Sequence, residues 1–258
     1  MSTIKNKAEN VIDIQGLKKQ FGTKEILKGL DLKLHKGENL VVLGKSGTGK
    51  SVLIKCIVRL LDPDEGSINV LGEDMTNLDA NKLNEVRQKI GFLFQSGALY
   101  DSMTVRENLE FPLRRIRKGI KNSEVEAKVK EVLENVGLPD AINKMPSELS
   151  GGMRKRISLA RTVIVDPQII LYDEPTTGLD PITSDEISLL INEIQEKYKT
   201  SSIIITHDIE CARTVADRVV MLNEGQLYKE GTIAEFENDN DSFISSFFQM
   251  KQNTKTPR

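Results

Sequence analysis

The sequence has few cysteines and almost no net charge, and each shortage excludes a class of protein. Cys56 and Cys211 are the only cysteines among 258 residues. Two thiols so far apart form neither a disulfide framework nor a metal site, so we expect both to be buried and the compartment to be reducing. A formal net charge of -2 gives no electrostatic signal for nucleic acid, so no nucleic-acid partner is expected.

The sequence also lacks the features of a membrane-spanning or secreted chain. No apolar run approaches the roughly 18 residues with which an α-helix crosses a bilayer. The first ten residues, MSTIKNKAEN, have no apolar core of the secretory type and predict a disordered tail over residues 1–10. We therefore expect any role at a membrane to depend on partner proteins.

A glycine-rich stretch is the feature around which the chain is organised. It contains Gly44-x-x-x-x-Gly49-Lys50-Ser51, the spacing of a loop whose backbone N–H groups cradle phosphates. An apolar run precedes the loop and a helical pattern follows it, which is the order such a site needs. Lys50 can reach the terminal phosphates, and the Ser51 hydroxyl can bind Mg²⁺. A plain glycine-rich turn with an exposed lysine is the alternative.

Polar side chains end three apolar runs, where ligands of an open α/β sheet bind. Gln95 ends the run IGFLFQ, although an ordinary loop amide is the alternative. Asp173 and Glu174 end a strand of the buried type, where unpaired charge is costly. A bound Mg²⁺ would explain the first carboxylate, and polarisation of an attacking water would explain the second. His207 follows the β-branched strand pattern SSIIIT.

Two other places have competing interpretations. Phe21 stands beside Gly22 in a predicted loop, where its ring can staple the turn or stack on a planar base. Ser150 precedes two glycines and a basic helix, so it is a natural N-cap. The N–H groups of Gly151 and Gly152 at the same helix start also make an anion site. Local sequence leaves both alternatives open.

Strand patterns disappear over residues 96–149, where we predict a helical lobe inserted into an α/β body. Helices are expected over residues 105–116 and 123–136, the second opened by a capping box of Ser123 and Glu126.

Near the C-terminus, residues 242–248 place apolar side chains on one helical face. This face either packs on its own domain or docks a second subunit or small regulatory protein. Residues 251–258 are predicted to be disordered.

Taken together, these residues resemble the nucleotide-binding subunits of ABC transporters over about residues 11–236. The resemblance implies an α/β fold, with a P-loop NTPase (RecA-like) core, an antiparallel β subdomain and an inserted α-helical subdomain. It implies an ABC ATPase domain over residues 11–240, with the helical subdomain at about 96–163. Residues 241–258 would form a C-terminal amphipathic segment and tail.

The resemblance also gives each candidate residue a role. The implied ATP-binding residues are Phe21, Gly44, Lys45, Ser46, Gly47, Thr48, Gly49, Lys50, Ser51 and Gln95. The implied catalytic residues are Glu174 as the base, His207 as the γ-phosphate sensor and Lys50. The implied Mg²⁺ ligands are Ser51, Gln95 and Asp173. The implied contacts to ATP on an opposing subunit come from Ser150, Gly151, Gly152 and Asp180.

Two residues depart from the family pattern. Phe21 stands where the family more often has tyrosine, a change that keeps the stacking role. Met153 replaces the glutamine that usually ends the signature, which affects only the contacts of that fifth position.

By this resemblance the chain forms a homodimer, binds a transmembrane permease peripherally at the cytoplasmic face of the cell membrane, and hydrolyses ATP to drive transport. The strings FQSGALYDSMTV, LSGGM and GLDPITS look like those of the ATPases of Mla/MCE phospholipid-trafficking systems. That narrower resemblance implies phospholipid as the substrate, with an MCE-type substrate-binding protein and a small regulatory subunit as partners.

Other functions remain as alternatives. The chain can instead serve another ABC importer or exporter. A soluble ABC ATPase acting on DNA or ribosomes is disfavoured, because the sequence has neither a long coiled-coil insertion nor a second ATPase unit. A nucleotide kinase would explain the phosphate loop but not the Ser150-Gly151-Gly152 run or His207.

Overall fold

Two β-sheets with helices packed around them make up the computed structural model, which describes residues 9–249. The strands are β1 (Asn10–Phe21), β2 (Lys24–His35), β3 (Asn39–Leu43), β4 (Glu65–Val70), β5 (Glu73–Asp74), β6 (Ile90–Leu93), β7 (Ile169–Asp173), β8 (Ser201–Ile205), β9 (Arg218–Asn223) and β10 (Gln226–Gly231). The α-helices are α1 (Lys50–Ile57), α2 (Ala80–Arg87), α3 (Val105–Ile116), α4 (Asn122–Asn135), α5 (Gly151–Val163), α6 (Pro181–Tyr198), α7 (Ile209–Val215), α8 (Ile233–Glu237) and α9 (Ser242–Gln249). Most of the predicted N-terminal tail, and all of the predicted disordered segment at 251–258, lie outside the described residues.

The larger sheet has the order β10-β9-β3-β8-β7-β6, and its pairs are parallel except for β10 with β9. Every residue of β3, β7 and β8 is buried, because helices cover one face of this sheet, and helix α1 with strands β1, β2 and β4 covers the other. The four-stranded antiparallel sheet has the order β2-β1-β4-β5. This architecture confirms the predicted α/β class with an antiparallel β part. Since parallel strands end at one edge, the loops after β3, β6, β7 and β8 converge there.

Helices α3, α4 and α5 lie between β6 and β7 in the chain and pack against one another. Helix α3 covers the predicted residues and is opened by a capping box in which Thr104 and Glu107 take part. The capping box predicted at Ser123 is wrong. Helix α4 begins earlier, so that the N–H of Val125 already bonds to the Lys121 carbonyl, and Ser123 is inside the first turn rather than at the cap.

The predicted loop around Phe21 is also wrong, because β1 continues through this residue. Phe21 pairs with Lys24 across the turn to β2, and the long β1–β2 pairing absorbs several register shifts on the way. Backbone pairing with a neighbouring strand thus extends the strand past the point where apolar alternation ends.

Buried positions agree with the sequence pattern at both cysteines and at the C-terminal helix. Cys56 and Cys211 are buried and free, as predicted. Helix α9 packs on its own domain, the first of the two alternatives, since Ile244 is buried in the main hydrophobic core.

Candidate functional site

The phosphate loop joins the buried strand β3 to helix α1, as the sequence predicts. Strand β3 ends at Leu43 and α1 begins at Lys50. The N-cap residue Gly49 has a φ of 102°, in the left-handed region, and a Cβ there would lie 2.8 Å from Leu27 Cδ2. Only glycine meets both conditions without strain, so the chain can turn directly into the helix with its N–H groups facing the loop.

The Lys50 ammonium group lies inside the loop. Its Nζ donates to the carbonyl oxygens of Gly44 at 2.7 Å and Lys45 at 3.1 Å. Burial lowers the pKa of Lys50, while the nearby carboxylates of Glu174 and Asp173 act in the opposite direction. A buried cation held by two carbonyl oxygens and facing two carboxylates is suited to bind a phosphate anion.

Ser51 and Asp173 come together although 122 positions separate them in the sequence. The Ser51 hydroxyl donates to Asp173 Oδ1 at 2.9 Å, joining the start of α1 to the end of β7. Burial raises the pKa of Asp173, and the Ser51 hydrogen bond opposes that rise. The effect of burial exceeds those of this hydrogen bond and of the nearby Lys55 and Lys50 charges, and a bound cation would relieve the remaining cost of the ionised carboxylate.

The donor set fits Mg²⁺ rather than a softer metal. Ser51 and Asp173 offer hard oxygen atoms, and Ser51 and Gln95 line one cavity. No cluster of three or more His, Cys, Asp or Glu residues able to hold a metal occurs within residues 9–249. Mg²⁺ needs only a few protein ligands when substrate phosphates and water complete its coordination shell.

Glu174 and His207 form a second long-range pair at this edge of the sheet. His207 Nδ1 lies 2.8 Å from Glu174 Oε2, and the Thr177 hydroxyl donates to the same oxygen at 3.1 Å. Glu174 is buried and has a φ of 51°, a left-handed conformation that is unusual for a non-glycine residue. Such strain is kept where the surroundings fix a side chain for a task.

A cavity of about 720 Å³ opens between these groups. Of the predicted ATP-binding residues, those that line it are Phe21, Lys45, Ser46, Gly47, Gly49, Lys50, Ser51 and Gln95. Gly44 and Thr48 shape the loop instead, because the Gly44 carbonyl accepts from Lys50 and the Thr48 hydroxyl donates to the Lys45 carbonyl. Glu174 and His207 also line the cavity. The fold thus gathers the predicted phosphate, stacking and catalytic residues around one space.

The residues predicted to contact an opposing subunit lie outside this cavity: Ser150, Gly151, Gly152 and Asp180. The Ser150 hydroxyl caps α5 by accepting from the Met153 N–H at 3.2 Å. Asp180 caps α6 by accepting from the Thr183 N–H at 3.1 Å. Both residues therefore have a capping role within their own chain, whatever else they contact.

Two site residues carried no clear signal in the sequence. Lys155 on α5 is buried, and its Nζ donates to the Gln95 carbonyl at 2.5 Å and lies 3.4 Å from the Glu174 carbonyl oxygen. Phe247 on α9, almost 200 residues after the phosphate loop in the sequence, lines the same cavity as that loop. The basic helix and the Phe-rich segment were visible in the sequence, but neither pattern indicates which side chain reaches the site.

Across the described residues, the structure contains no helix with the length and apolar character of a bilayer span.

Comparison with known proteins gives the family. The family model described as ABC transporter matches residues 27–177. One relative is the "Probable ribonucleotide transport ATP-binding protein mkl" of Mycobacterium leprae, which is 46% identical over 211 aligned residues. The alignment covers 82% of this chain and 60% of the relative. The chain is 35% identical over 241 residues, 93% of its length, to 65% of the "Methionine import ATP-binding protein MetN" of Brucella abortus. It therefore spans about three fifths of the length of these relatives.

Solved structures agree with this. A dimeric post-hydrolysis state of the ATP-binding cassette MJ0796 bound to ADP and Pi has a TM-score of 0.79 and 31% identity, over 86% of this chain and 98% of that one. The cbiO1 protein of Clostridium perfringens, part of the ABC transporter complex cbiONQ, has a TM-score of 0.82 and 25% identity, over 95% of this chain and 97% of that one. Since the family model covers more than half of the sequence, the chain belongs to the ABC transporter family.

Proposed function

We propose that two copies of this chain bind and hydrolyse ATP between them to drive a transmembrane permease, and that the transported molecule is a phospholipid. The observation that carries the ATPase part is the single cavity shared by Lys50, Ser51, Glu174 and His207. The dimer, the permease and the lipid rest on further arguments, taken in turn below.

Each residue around the cavity has a task in phosphoryl transfer, which depends on positioning and on charge stabilisation. The Lys50 ammonium exchanges its carbonyl partners for oxygens of the β- and γ-phosphates. Ser51, Asp173 and Gln95 hold Mg²⁺, which supplies positive charge against the phosphates. Glu174 accepts the proton of the attacking water, and His207, 2.8 Å from that carboxylate, fixes its orientation and contacts the γ-phosphate.

A second copy completes the site. One cavity leaves the far side of the nucleotide open, while Ser150, Gly151 and Gly152 lie at the start of α5 away from it. In a head-to-tail dimer, this helix start of one copy covers the γ-phosphate bound by the other. The solved cassette bound to ADP and Pi is a dimer, which supports this arrangement.

Gln95 is placed to pass the state of the cavity to the permease. Its side chain lines the cavity, and its backbone carbonyl accepts from Lys155 on α5. Movement at Gln95 is therefore transmitted to the helices α3–α5, which form the proposed lobe at about residues 96–163. This lobe contacts the permease at the cytoplasmic face of the cell membrane.

The lipid substrate is supported by the three strings shared with the Mla/MCE type, above all residues 94–105 after strand β6. An MCE-type protein and a small regulatory subunit follow as partners from the same resemblance. Ribonucleotide is the second candidate substrate, because the relative that is 46% identical carries that word in its name. A relative at the lower identity of 35% is named for methionine import.

Mixing two inactive variants tests the shared site. Lys50→Ala disables the phosphate loop, and Gly151→Asp places a carboxylate where the partner's phosphate would lie. In a dimer with one copy of each variant, one site combines the unchanged phosphate loop of the Gly151→Asp copy with the unchanged α5 start of the Lys50→Ala copy. That site therefore has neither change. We expect each variant alone to be inactive and the mixture to recover part of the wild-type rate. No recovery, with heterodimers present on a native gel, would remove the shared site from the proposal.

The substrate is tested by tagged purification from detergent-solubilised membranes, followed by mass spectrometry of proteins and lipids. A multi-span permease, a single-span substrate-binding protein and bound phospholipid are the expected result. A permease with bound nucleotide-like solute would favour the ribonucleotide alternative, and ribosomes or DNA would contradict transport. An untagged strain serves as the control for non-specific lipid.

A further inference from the structure

The C-terminal helix α9 lies against the phosphate loop. The Lys45 ammonium is over the ring of Phe243, 5.3 Å from its centroid. One turn further along α9, Phe247 lines the same cavity as Lys45, Lys50 and Ser51. Two aromatic rings of this short helix thus meet the loop and the cavity proposed to hold ATP.

Helix α9 is held in this place by contacts on its other sides. Asp241 accepts from the N–H groups of Phe243 and Ile244 at 2.8 and 3.1 Å, and the Tyr228 hydroxyl donates to Asp241 at 2.7 Å. The rings of Tyr228 and Phe243 make an edge contact at 5.2 Å. Ile244 is only 1% exposed. The helix is therefore anchored to β10 and to the core before any ligand binds.

The end of α9 has a separate anchor that does not face the cavity. The ring of Phe248 lies 6.5 Å from that of Phe236 in α8, which is buried in the core. Phe247 and Phe248 are thus neighbours of the same kind with different surroundings. Both rings pack against the core, but only that of Phe247 also lines the cavity.

We propose that α9 is part of the nucleotide site, with Phe247 forming a second apolar wall against the purine base and Phe243 holding Lys45 beside the phosphates. This rests on the proposed function of the cavity as the ATP site. Phe21, on β1, is the first wall, since its half-exposed ring lines the same cavity. A base between two aromatic side chains loses contact with water on both faces.

The two phenylalanines act on different parts of ATP, which makes the proposal testable. Removing a ring that contacts a base weakens binding by about 5- to 150-fold, which corresponds to about 1–3 kcal/mol of contact. Phe247 lines the cavity and also makes an edge contact with the ring of Phe243, at 5.4 Å between centroids. Leucine at position 247 keeps an apolar neighbour for Phe243, so we expect Phe247→Leu to weaken binding of ATP and to leave binding of base-free tripolyphosphate unchanged. Phe243 acts through Lys45, so its loss weakens both ligands.

The experiment is titration calorimetry of the full chain with Mg·ATP and with tripolyphosphate. Phe247→Leu keeps an apolar side chain in α9 and removes the ring, and Phe248→Leu is the matched control on the next residue. We expect Phe247→Leu to weaken ATP binding at least fivefold, with tripolyphosphate unaffected, and Phe247→Tyr to restore the affinity. Thermal unfolding of both leucine variants tests whether α9 stays packed.

The possible failures are distinguishable. Equal ATP affinity of Phe247→Leu and wild type would overturn the role of α9 and leave the proposed function intact. Equal loss in Phe247→Leu and Phe248→Leu, for both ligands, would also overturn it, since it would reflect general loosening of the helix. If the wild-type chain binds no ATP, or if Lys50→Ala binds it normally, the proposed function itself fails.

Discussion

Lys155 donates from its buried ammonium group to the backbone carbonyl oxygen of Gln95 over 2.5 Å. The same Nζ lies 3.4 Å from the carbonyl oxygen of Glu174. This one cation thus joins helix α5 to the loops after β6 and β7. Burial lowers the pKa of Lys155, and Asp173 and Glu174 oppose this shift. The contact fixes the backbone from which two site residues project.

Replacing this cation is expected to slow turnover while leaving ATP binding nearly unchanged. Lys155→Met removes a charged hydrogen bond of about 1.5–3 kcal/mol, so we expect kcat to fall by roughly 10- to 100-fold with KM within about twofold. Steady-state kinetics separate the two constants, and Lys155→Arg should recover part of the rate. Lys130→Met, at an exposed position of α4, is the control. A raised KM with normal kcat would contradict the positioning role.

Replacing the proposed base should stop chemistry without stopping binding. Glu174→Gln keeps the size of the side chain but cannot accept the proton of the attacking water, so we expect hydrolysis to fall by about 10²- to 10⁴-fold. ATP then stays bound, and the closed dimer accumulates. Gel filtration with and without ATP detects it. Glu196→Gln, exposed on α6, should behave as wild type. A normal hydrolysis rate in Glu174→Gln would exclude this residue as the base.

Asp173 should reduce the stability of the nucleotide-free protein at neutral pH. Burial raises the pKa of Asp173 in the folded state, so the fold favours the protonated form of this carboxyl group. Its contribution to the free energy of unfolding is fully present below the unfolded pKa of about 3.9. That contribution is lost as the pH rises through the folded pKa. We expect Asp173→Asn to raise the urea midpoint at pH 7.5 more than at pH 4, and to lower hydrolysis more than about 100-fold.

Urea unfolding of both proteins at the two pH values, with no nucleotide or Mg²⁺ added, measures this difference. Asp62→Asn, at a highly exposed carboxylate, is the control that should show little change. A lower urea midpoint for Asp173→Asn at pH 7.5 would contradict the argument, because it would mean that the ionised carboxylate stabilises the fold.

The two glycines at the start of α5 should respond differently to alanine. A Cβ on Gly152 would lie 2.6 Å from Thr183 Cγ2, whereas one on Gly151 would lie 3.6 Å from Leu179 Cδ2, an ordinary contact. Gly151→Ala should therefore unfold at the wild-type temperature and yet lose about tenfold in hydrolysis, because its methyl group crowds the face offered to the partner's ATP.

Gly152→Ala should lower the melting temperature, and adding Thr183→Ser should recover much of that loss by removing the clashing methyl group. Differential scanning fluorimetry and ATP turnover of the three variants give the comparison. Wild-type hydrolysis by Gly151→Ala would argue against a contact with a second nucleotide at this glycine.

Several features of the site were predictable because they depend on neighbours in the chain. The phosphate loop between β3 and α1 follows from its glycine spacing, and the Ser150 cap of α5 follows from a hydroxyl that reaches an N–H three residues on. Helix α3 was predicted over its observed residues. Where pairing with another strand competes with local pattern, as at Phe21, the sequence prediction was wrong.

The sequence by itself thus determined the kinds of chemical group, their order and the local turns and caps that present them. Only the tertiary structure decided which groups meet. Ser51 reaches Asp173, and Glu174 reaches His207, because β3, β8 and β7 lie side by side in parallel and end at one edge. The place of Phe247 in the cavity depends on how α9 packs on the core. Strand order and helix packing arise from burying apolar surface between distant segments, and no local spacing encodes them.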